Sequence, residues 1–250
     1  MAETTTEQTG AGAGRLGGRR VVSGGTLGRW RGLLRGESPL WPAMSRFLFD
    51  FTSCMDAGRL KAAVAPLDVS LTRGDGRAAV RLRRLALERC GVTPCCHGFP
   101  RGDGSRLLLL EPSEMLLLAE WLGCLASAPA LRRVVARAQV SRLSAELPHA
   151  YPAVFRREAF YQRWLERLRA CGAESPLTGA EVQAQGMRVV SAVLSPLPEP
   201  LLRRLPLRFP ESCADWFSPA PGWECQEGDV ALLETVLRHE DKEGWTRCCC

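Results

Sequence analysis

Residues 112–126 read PSEMLLLAEWLGCLA, and this stretch decides the fold class. Its apolar side chains recur every three or four positions, which is the spacing of one face of an α-helix. The apolar positions are Met115, Leu116, Leu118, Ala119, Leu122 and Leu125. Pro112 suits the first turn because its missing N–H would be unpaired there. The stretch therefore predicts an α-helix that begins near Pro112.

The sequence on the amino-terminal side of this stretch predicts another helix and a loop. Residues 77–90 place apolar side chains between arginines at helical spacing, and Gly91 is positioned to end the helix. Residues 92–106 contain two prolines and three glycines, so we expect a loop there.

On the carboxyl side, Pro129 is expected to open a helix with a single apolar face. That face contains Leu131, Val134, Val135 and Ala138, with Arg133 and Arg137 lying elsewhere. Pro148 and Pro152 bracket the break that follows.

The remaining patterns are also helical. From Pro152 to Arg169, one apolar stripe contains Val154, Tyr161, Trp164, Leu165 and Leu168. Thr178-Gly179-Ala180-Glu181 has the form of a capping box, which opens a helix through Leu194. A proline-studded stretch from Leu201 to Pro210 and a short helix near Asp229 to His239 follow. No alternating strand pattern is present, so we predict a mainly α protein with a single irregular multi-helix domain.

The ends of the chain differ from this helical body. Residues 1–43 are threonine-rich and then glycine- and arginine-rich, and too few apolar side chains are present to offset the entropy of ordering. We therefore expect a disordered extension over residues 1–43, with Met44 as an alternative start of translation. The predicted domain covers residues 44–240, and residues 241–250 form a flexible cysteine-rich tail.

Charge and hydropathy indicate a cytoplasmic protein. The formal net charge is +6, of which residues 1–43 carry half, and this is too little to demand a nucleic-acid partner. The start lacks a basic region followed by an apolar run, and no stretch is long and apolar enough to cross a bilayer. We expect no direct membrane insertion.

The eleven cysteines are interpreted as reduced thiols, because the chain is neither small nor visibly secreted. Cys90, Cys95, Cys96 and His97 are the best zinc candidate, although they lack paired C-x-x-C spacing. Residues 248–250, three consecutive cysteines, lack a prenylation signature. We predict no metal site and no cofactor.

A search of the sequence for catalytic material finds little. The three histidines, His97, His149 and His239, suggest no base beside a nucleophile, and carboxylates are scattered singly. No glycine loop cradles a phosphate. We predict a protein that is not an enzyme. A basic helical nucleic-acid-binding regulator and a small metal-dependent redox or hydrolytic protein are the alternatives.

Two parts of the sequence resemble the SctK/YscK family of accessory proteins of bacterial type III secretion. Arg106 to Gly123 followed by Ala128 to Val135 is similar to the family's leucine-rich helix, turn and arginine-bearing helix. Glu181 to Leu194, then Leu201 to Pro210 and Trp216, resembles its late helix and closing segment. Phe47 to Leu60 is also similar to the family, though more weakly. The resemblance as a whole covers about residues 45–217. The extension, the cysteine-rich end and residues 90–105 fall outside it.

The resemblance implies a cytoplasmic sorting-platform subunit, peripheral to the inner membrane through the secretion apparatus. Its partners would be an SctQ-like pod protein and the cytoplasmic domain of an SctD-like inner-membrane ring protein, with the SctL–SctN stalk and ATPase complex held indirectly. The family has no known catalytic activity, so it supplies no catalytic residues.

Three surfaces are candidates for contact with a protein partner. We expect no nucleic-acid partner. Two are arginine-bearing helix faces, over residues 132–142 and 156–167. The third is the proline-rich segment from Leu201 to Phe217, whose restricted backbone loses less entropy on docking. A strap packed over the protein's own core is the alternative interpretation of that segment.

Overall fold

The computed structural model of the chain describes residues 41–92, 103–171, 178–220, 223–226 and 228–240. Within these ranges every regular element is a helix and no strand occurs, which confirms the predicted fold class. The α-helices are α1 Trp41–Phe49, α2 Ala57–Val64, α3 Arg77–Arg89, α4 Asp103–Leu107, α5 Pro112–Ala126, α6 Ala128–Arg132, α7 Arg137–Glu146, α8 Tyr151–Arg157, α9 Gln162–Ala170, α10 Gly179–Leu194, α11 Glu199–Leu202 and α12 Val230–Glu240. The 3-10 turns are Phe51–Cys54, Val69–Thr72, Glu158–Tyr161, Pro206–Arg208 and Glu211–Phe217. None of the described helices combines the length and the apolar composition of a membrane span.

Helix α5 is the centre of the core. It begins at Pro112 as predicted, and the carboxylate of Glu114 accepts a hydrogen bond from the backbone N–H of Glu111 at 2.7 Å. Every side chain position from Leu118 to Ala126 is buried. A helix that is apolar on all sides must be surrounded by others, and α5 contacts α8, α9, α10 and α12.

Helices α5 and α10 cross with their backbones in contact. A Cβ placed on Gly123 of α5 would lie 1.9 Å from the carbonyl oxygen of Val182 on α10. That distance is far inside van der Waals contact, so only glycine permits this crossing. The close approach lets both helices bury nearly continuous apolar sequence.

Helix α10 begins with the predicted capping box. The side chain of Glu181 accepts from the backbone N–H of Thr178 at 2.7 Å, and the Thr178 hydroxyl accepts from the N–H of Glu181 at 3.3 Å. The predicted apolar positions Val182, Met187, Val190, Val193 and Leu194 are all buried. Helix α10 is therefore stabilised both by its capping box and by the burial of its apolar side chains.

The apolar stripe predicted from Pro152 to Arg169 is confirmed. Val154, Tyr161, Trp164, Leu165 and Leu168 are all buried against the core. A 3-10 turn, Glu158–Tyr161, separates α8 from α9 without ending the stripe. Pro152 lies inside the first turn of α8 instead of closing the break, because proline is tolerated at that position.

The single helix predicted from Pro129 is wrong. Helix α6 ends at Arg132, residues 133–136 are not helical, and α7 begins at Arg137. The N–H groups of Arg133 and Val134 bond to carbonyls three residues back, which tightens the chain and ends α6. Val134 and Val135 are β-branched and favour helix less than their neighbours. As a result Val135 is 88% exposed instead of sharing a face with Leu131.

Two predicted boundaries are also wrong. The expected loop over residues 92–106 contains the start of α4 at Asp103, whereas residues 93–102 lie outside the described part. The predicted extension over residues 1–43 overlaps α1, which begins at Trp41. The helix begins there because Pro42 suits a first helical turn and the side chains of Phe47 and Leu48 are buried in the core. Residues 1–40 lie outside the described part.

Other predicted ends agree with the structure. Helix α3 ends at Arg89, and Gly91 adopts a φ of +67°, the left-handed conformation that follows a helix end. The last predicted helix is α12, in which Leu233, Val236 and Leu237 are buried. The cysteine-rich tail over residues 241–250 lies outside the described residues.

Candidate partner-binding surface

The proline-rich segment, the third candidate surface, packs over the protein's own core. Leu201, Leu205 and Phe209 are buried, and so are the side chains of Arg204 and Arg208. The segment is therefore a strap, as the alternative interpretation held, and its buried face is not available for docking.

Both buried arginines hold the strap through backbone carbonyls. Arg208 donates to the carbonyl oxygens of Leu108 at 2.8 Å and Leu110 at 2.6 Å. Arg204 donates to the carbonyl of Phe47, and its guanidinium lies 5.3 Å from the ring centroid of Phe51. Burial lowers the pKa of Arg208 because it removes water from the cation. Neither role was predicted from the sequence, because arginine is seldom fully buried.

The first arginine face, over residues 132–142, is partly neutralised inside the protein. Arg132 donates to the carboxylate of Glu158, which also accepts from Arg169. The Glu158 side chain is only 10% exposed, so this is a charge cluster at the edge of the core. Arg142 pairs with Glu146 at 2.7 Å on the surface of α7.

The second arginine face, over residues 156–167, is also partly used internally. Arg167 donates to both carboxylate oxygens of Asp229, at 2.6 and 2.9 Å, and lies 4.2 Å from the ring centroid of Trp223. Asp229 raises the pKa of Arg167 through this bidentate hydrogen bond. Arg163 stacks over Trp164 at 3.8 Å. The contacts of Arg167 attach Trp223 and Asp229 to α9.

The exposed remainder of the two faces is the candidate surface. Arg133, Arg137 and Arg156 are exposed and form no ion pair with any residue that the structure describes. Val135 is 88% exposed and Phe160 is 61% exposed. We call these five residues the Val135 surface. The ion pair between Arg132 and Glu158 links the two chain segments in which these five residues lie.

The charge of the chain is concentrated around this surface. Residues 128–170 contain nine arginines and three glutamates, a net charge of +6. The other 207 residues carry 24 basic and 24 acidic side chains. Residues 128–170 therefore carry a charge of +6, residues 1–43 carry +3, and the rest of the chain carries −3, a concentration that the composition of the full chain hides.

A family model, "YOP proteins translocation protein K (YscK)", matches residues 54–250. The chain belongs to the YscK family. This confirms the resemblance in the sequence and makes the chain a type III secretion translocation protein. No curated protein and no solved structure matches the chain.

The YscK match extends further than the resemblance predicted. It includes residues 90–105 and the cysteine-rich end, both of which the sequence analysis placed outside the family. It begins at Cys54, so the whole of α1 precedes it. All of the Val135 surface lies within the match.

YscK is not known as an enzyme family, and the described residues offer no positive evidence of catalysis. Of the proposed zinc ligands only Cys90 is described, and Cys95, Cys96 and His97 lie outside the described ranges. No group of three or more potential metal ligands occurs among the residues with a described position. Burial raises the pKa of the Cys90 thiol, as it does for Cys54 and Cys171, which disfavours the reactive thiolate.

Proposed function

We propose that this YscK-family protein is a non-enzymatic cytoplasmic adaptor of a type III secretion machine. It would link the sorting-platform pods to the inner-membrane ring and remain peripheral to that membrane through the apparatus. Its direct partners would be an SctQ-like pod protein and the cytoplasmic domain of an SctD-like ring protein. The SctL–SctN stalk and ATPase complex would be held indirectly.

The observation that carries this proposal is the family match over residues 54–250, read together with the Val135 surface. An adaptor requires exposed groups that its own fold leaves unused. Arg133, Arg137 and Arg156 fit that requirement, and Val135 and Phe160 add exposed apolar groups, since arginine and large apolar groups are enriched where proteins bind one another.

Co-purification from the native bacterium tests the adaptor role. We expect the tagged full chain to retain the pod protein and the ring protein, and we expect deletion of its gene to stop secretion. A matched tagged protein that is unrelated to secretion controls for non-specific capture. Loss of both associations, with secretion intact after deletion, would remove the proposal.

A nucleic-acid-binding regulator is the second candidate, because nine arginines lie within 43 residues. Phosphate contacts make binding weaken steeply as salt increases. Tight binding to random duplex DNA or RNA at low salt, with that steep loss, would favour the regulator. We expect binding to random sequences to be weak even at low salt.

A further inference from the structure

Val135 is the most exposed large apolar side chain among the described residues, at 88%. It lies in the non-helical link between α6 and α7, where it is flanked by Arg133 and Arg137. A side chain this exposed contributes almost nothing to the core, so its presence there does not stabilise the fold. Phe160, in the turn between α8 and α9, is also exposed among arginines.

The charged residues of the Val135 surface all have one sign. Arg133, Arg137 and Arg156 are exposed, whereas Glu158 is buried between Arg132 and Arg169. The other carboxylates of residues 128–170 are Glu146, which pairs with Arg142, and exposed Glu166 on α9, and neither is one of the five residues of the Val135 surface. The five residues of the Val135 surface therefore comprise three cations and two apolar side chains. Apolar anchors surrounded by charged groups are the usual arrangement of a protein-binding site.

We infer that the Val135 surface binds an acidic protein segment that carries apolar side chains. The arginines would contact its carboxylates, and Val135 and Phe160 would contact its apolar groups. This inference rests on the proposed function, because it names the surface through which the adaptor contacts one partner.

The geometry favours a protein over a nucleic acid at this surface. Single-stranded nucleic acids need several aromatic faces on which successive bases stack. Tyr151, Tyr161 and Trp164 are buried, which leaves Phe160 as the one aromatic side chain of the Val135 surface. The arginine pairs with Glu158, Glu146 and Asp229 further reduce the charge available to phosphates. Val135 itself offers no π surface and is suited to another aliphatic or aromatic side chain.

Site-specific photo-crosslinking in the native bacterium tests this inference. A photoreactive amino acid is placed in the full chain at Val135, at Phe160 or, as a matched control, at Val80, which is 52% exposed on α3. Crosslinked peptides are then identified by mass spectrometry. We expect Val135 and Phe160 to capture the same protein through a peptide of net negative charge, and Val80 not to capture it.

A pair of triple variants tests the role of charge. R133Q/R137Q/R156Q removes three arginines from the Val135 surface, and R73Q/R77Q/R81Q removes three exposed arginines elsewhere. We expect the first to lower the yield of the Val135 adduct at least tenfold and the second to leave it within about twofold, since only the first removes charges beside the bound segment.

Several outcomes would overturn the inference: no adduct, a nucleic-acid adduct, a captured peptide that is not acidic, or equal yields in the two triple variants. The proposed function fails separately. An acidic peptide from a protein outside the secretion machine would support the inference and contradict the adaptor role. Secretion proteins that co-purify but never crosslink at Val135 would support the adaptor role and contradict the inference.

Discussion

Gly186 lies directly against the carbonyl oxygen of Ala119 where α10 crosses α5. A Cβ placed on Gly186 would lie 1.8 Å from that oxygen and 2.7 Å from the backbone nitrogen of Gly123. Both obstacles are backbone atoms, which do not move aside as a flexible side chain would. The two central helices therefore depend on a missing side chain at this point.

Gly186→Ala should consequently destabilise the protein, although alanine favours helix more than glycine does. The added methyl group must push the two helices apart, and overpacking of this kind costs about 3 kcal/mol. Urea unfolding followed by circular dichroism would measure the loss. Gly76→Ala is the control for steric clash, because no atom lies within 4 Å of its Cβ. Gly76 is the N-cap of α3, where alanine is less favourable than glycine, so we expect a loss of about 1 kcal/mol or less there. Equal stabilities for the two variants would contradict the close crossing.

The sequence predicted which helices exist better than it predicted their contacts. Periodicity and capping identified α5 and α10 because both are local properties, fixed by residues three or four positions apart. The backbone contact at Gly186 joins residues far apart in the chain. A glycine inside a helix does not show from the sequence which residue will pack against it. The same limit applies to Arg204 and Arg208, whose acceptors are carbonyls about a hundred residues or more away.

The candidate surface was predicted in part. Both arginine faces were identified from composition, but sequence alone did not separate the arginines in internal ion pairs from Arg133, Arg137 and Arg156, because those pairs depend on tertiary contacts. The prediction for Val135, which placed it on an apolar helix face, was wrong. Val135 fits a helical apolar face by spacing, and only the end of α6 at Arg132 moves it into solvent.

Glu158→Gln should destabilise the protein by about 2 kcal/mol, because it removes the charge that compensates Arg132 and Arg169. The estimate is reduced from that of a fully buried pair, since both arginines are more than 40% exposed. Urea unfolding at neutral pH is the measurement. Glu88→Gln, which breaks an exposed pair with Arg84, is the control and should change stability by under about 0.5 kcal/mol. A Glu158→Gln effect as small as the control would mean that the charge cluster does not stabilise the fold.

Tyr161 should resist ionisation until the pH is far above 10. Burial raises its pKa to about 12, because the phenolate would lose its contact with water. A raised pKa favours the neutral form in the folded state. The resulting stability is fully present below about pH 10, the unfolded value, and is lost as pH rises from there through about 12.

Ultraviolet titration of tyrosinate, with helicity recorded on the same samples, tests this. Tyr151 is the only other tyrosine, and burial raises its pKa as well, so neither should ionise near pH 10 while the protein is folded. Tyr161→Phe isolates the signal of Tyr151. Tyrosinate that forms near pH 10 with helicity retained, and that is lost in Tyr161→Phe, would show that Tyr161 is not buried.

Val135→Ser should separate binding from folding. The side chain is 88% exposed, so its loss should change the free energy of unfolding by under about 0.5 kcal/mol. Removal of an apolar anchor at a protein interface commonly costs 1 kcal/mol or more, so affinity for a partner that uses this surface should fall by roughly fivefold or more. Urea unfolding and calorimetric titration of the purified full chain with the pod or ring protein would supply the two numbers. Val80→Ser, with similar chemistry on α3, should affect neither. A large loss of stability in Val135→Ser would instead mean that this side chain packs within the protein, and the link between α6 and α7 would then be a structural element and not a contact site.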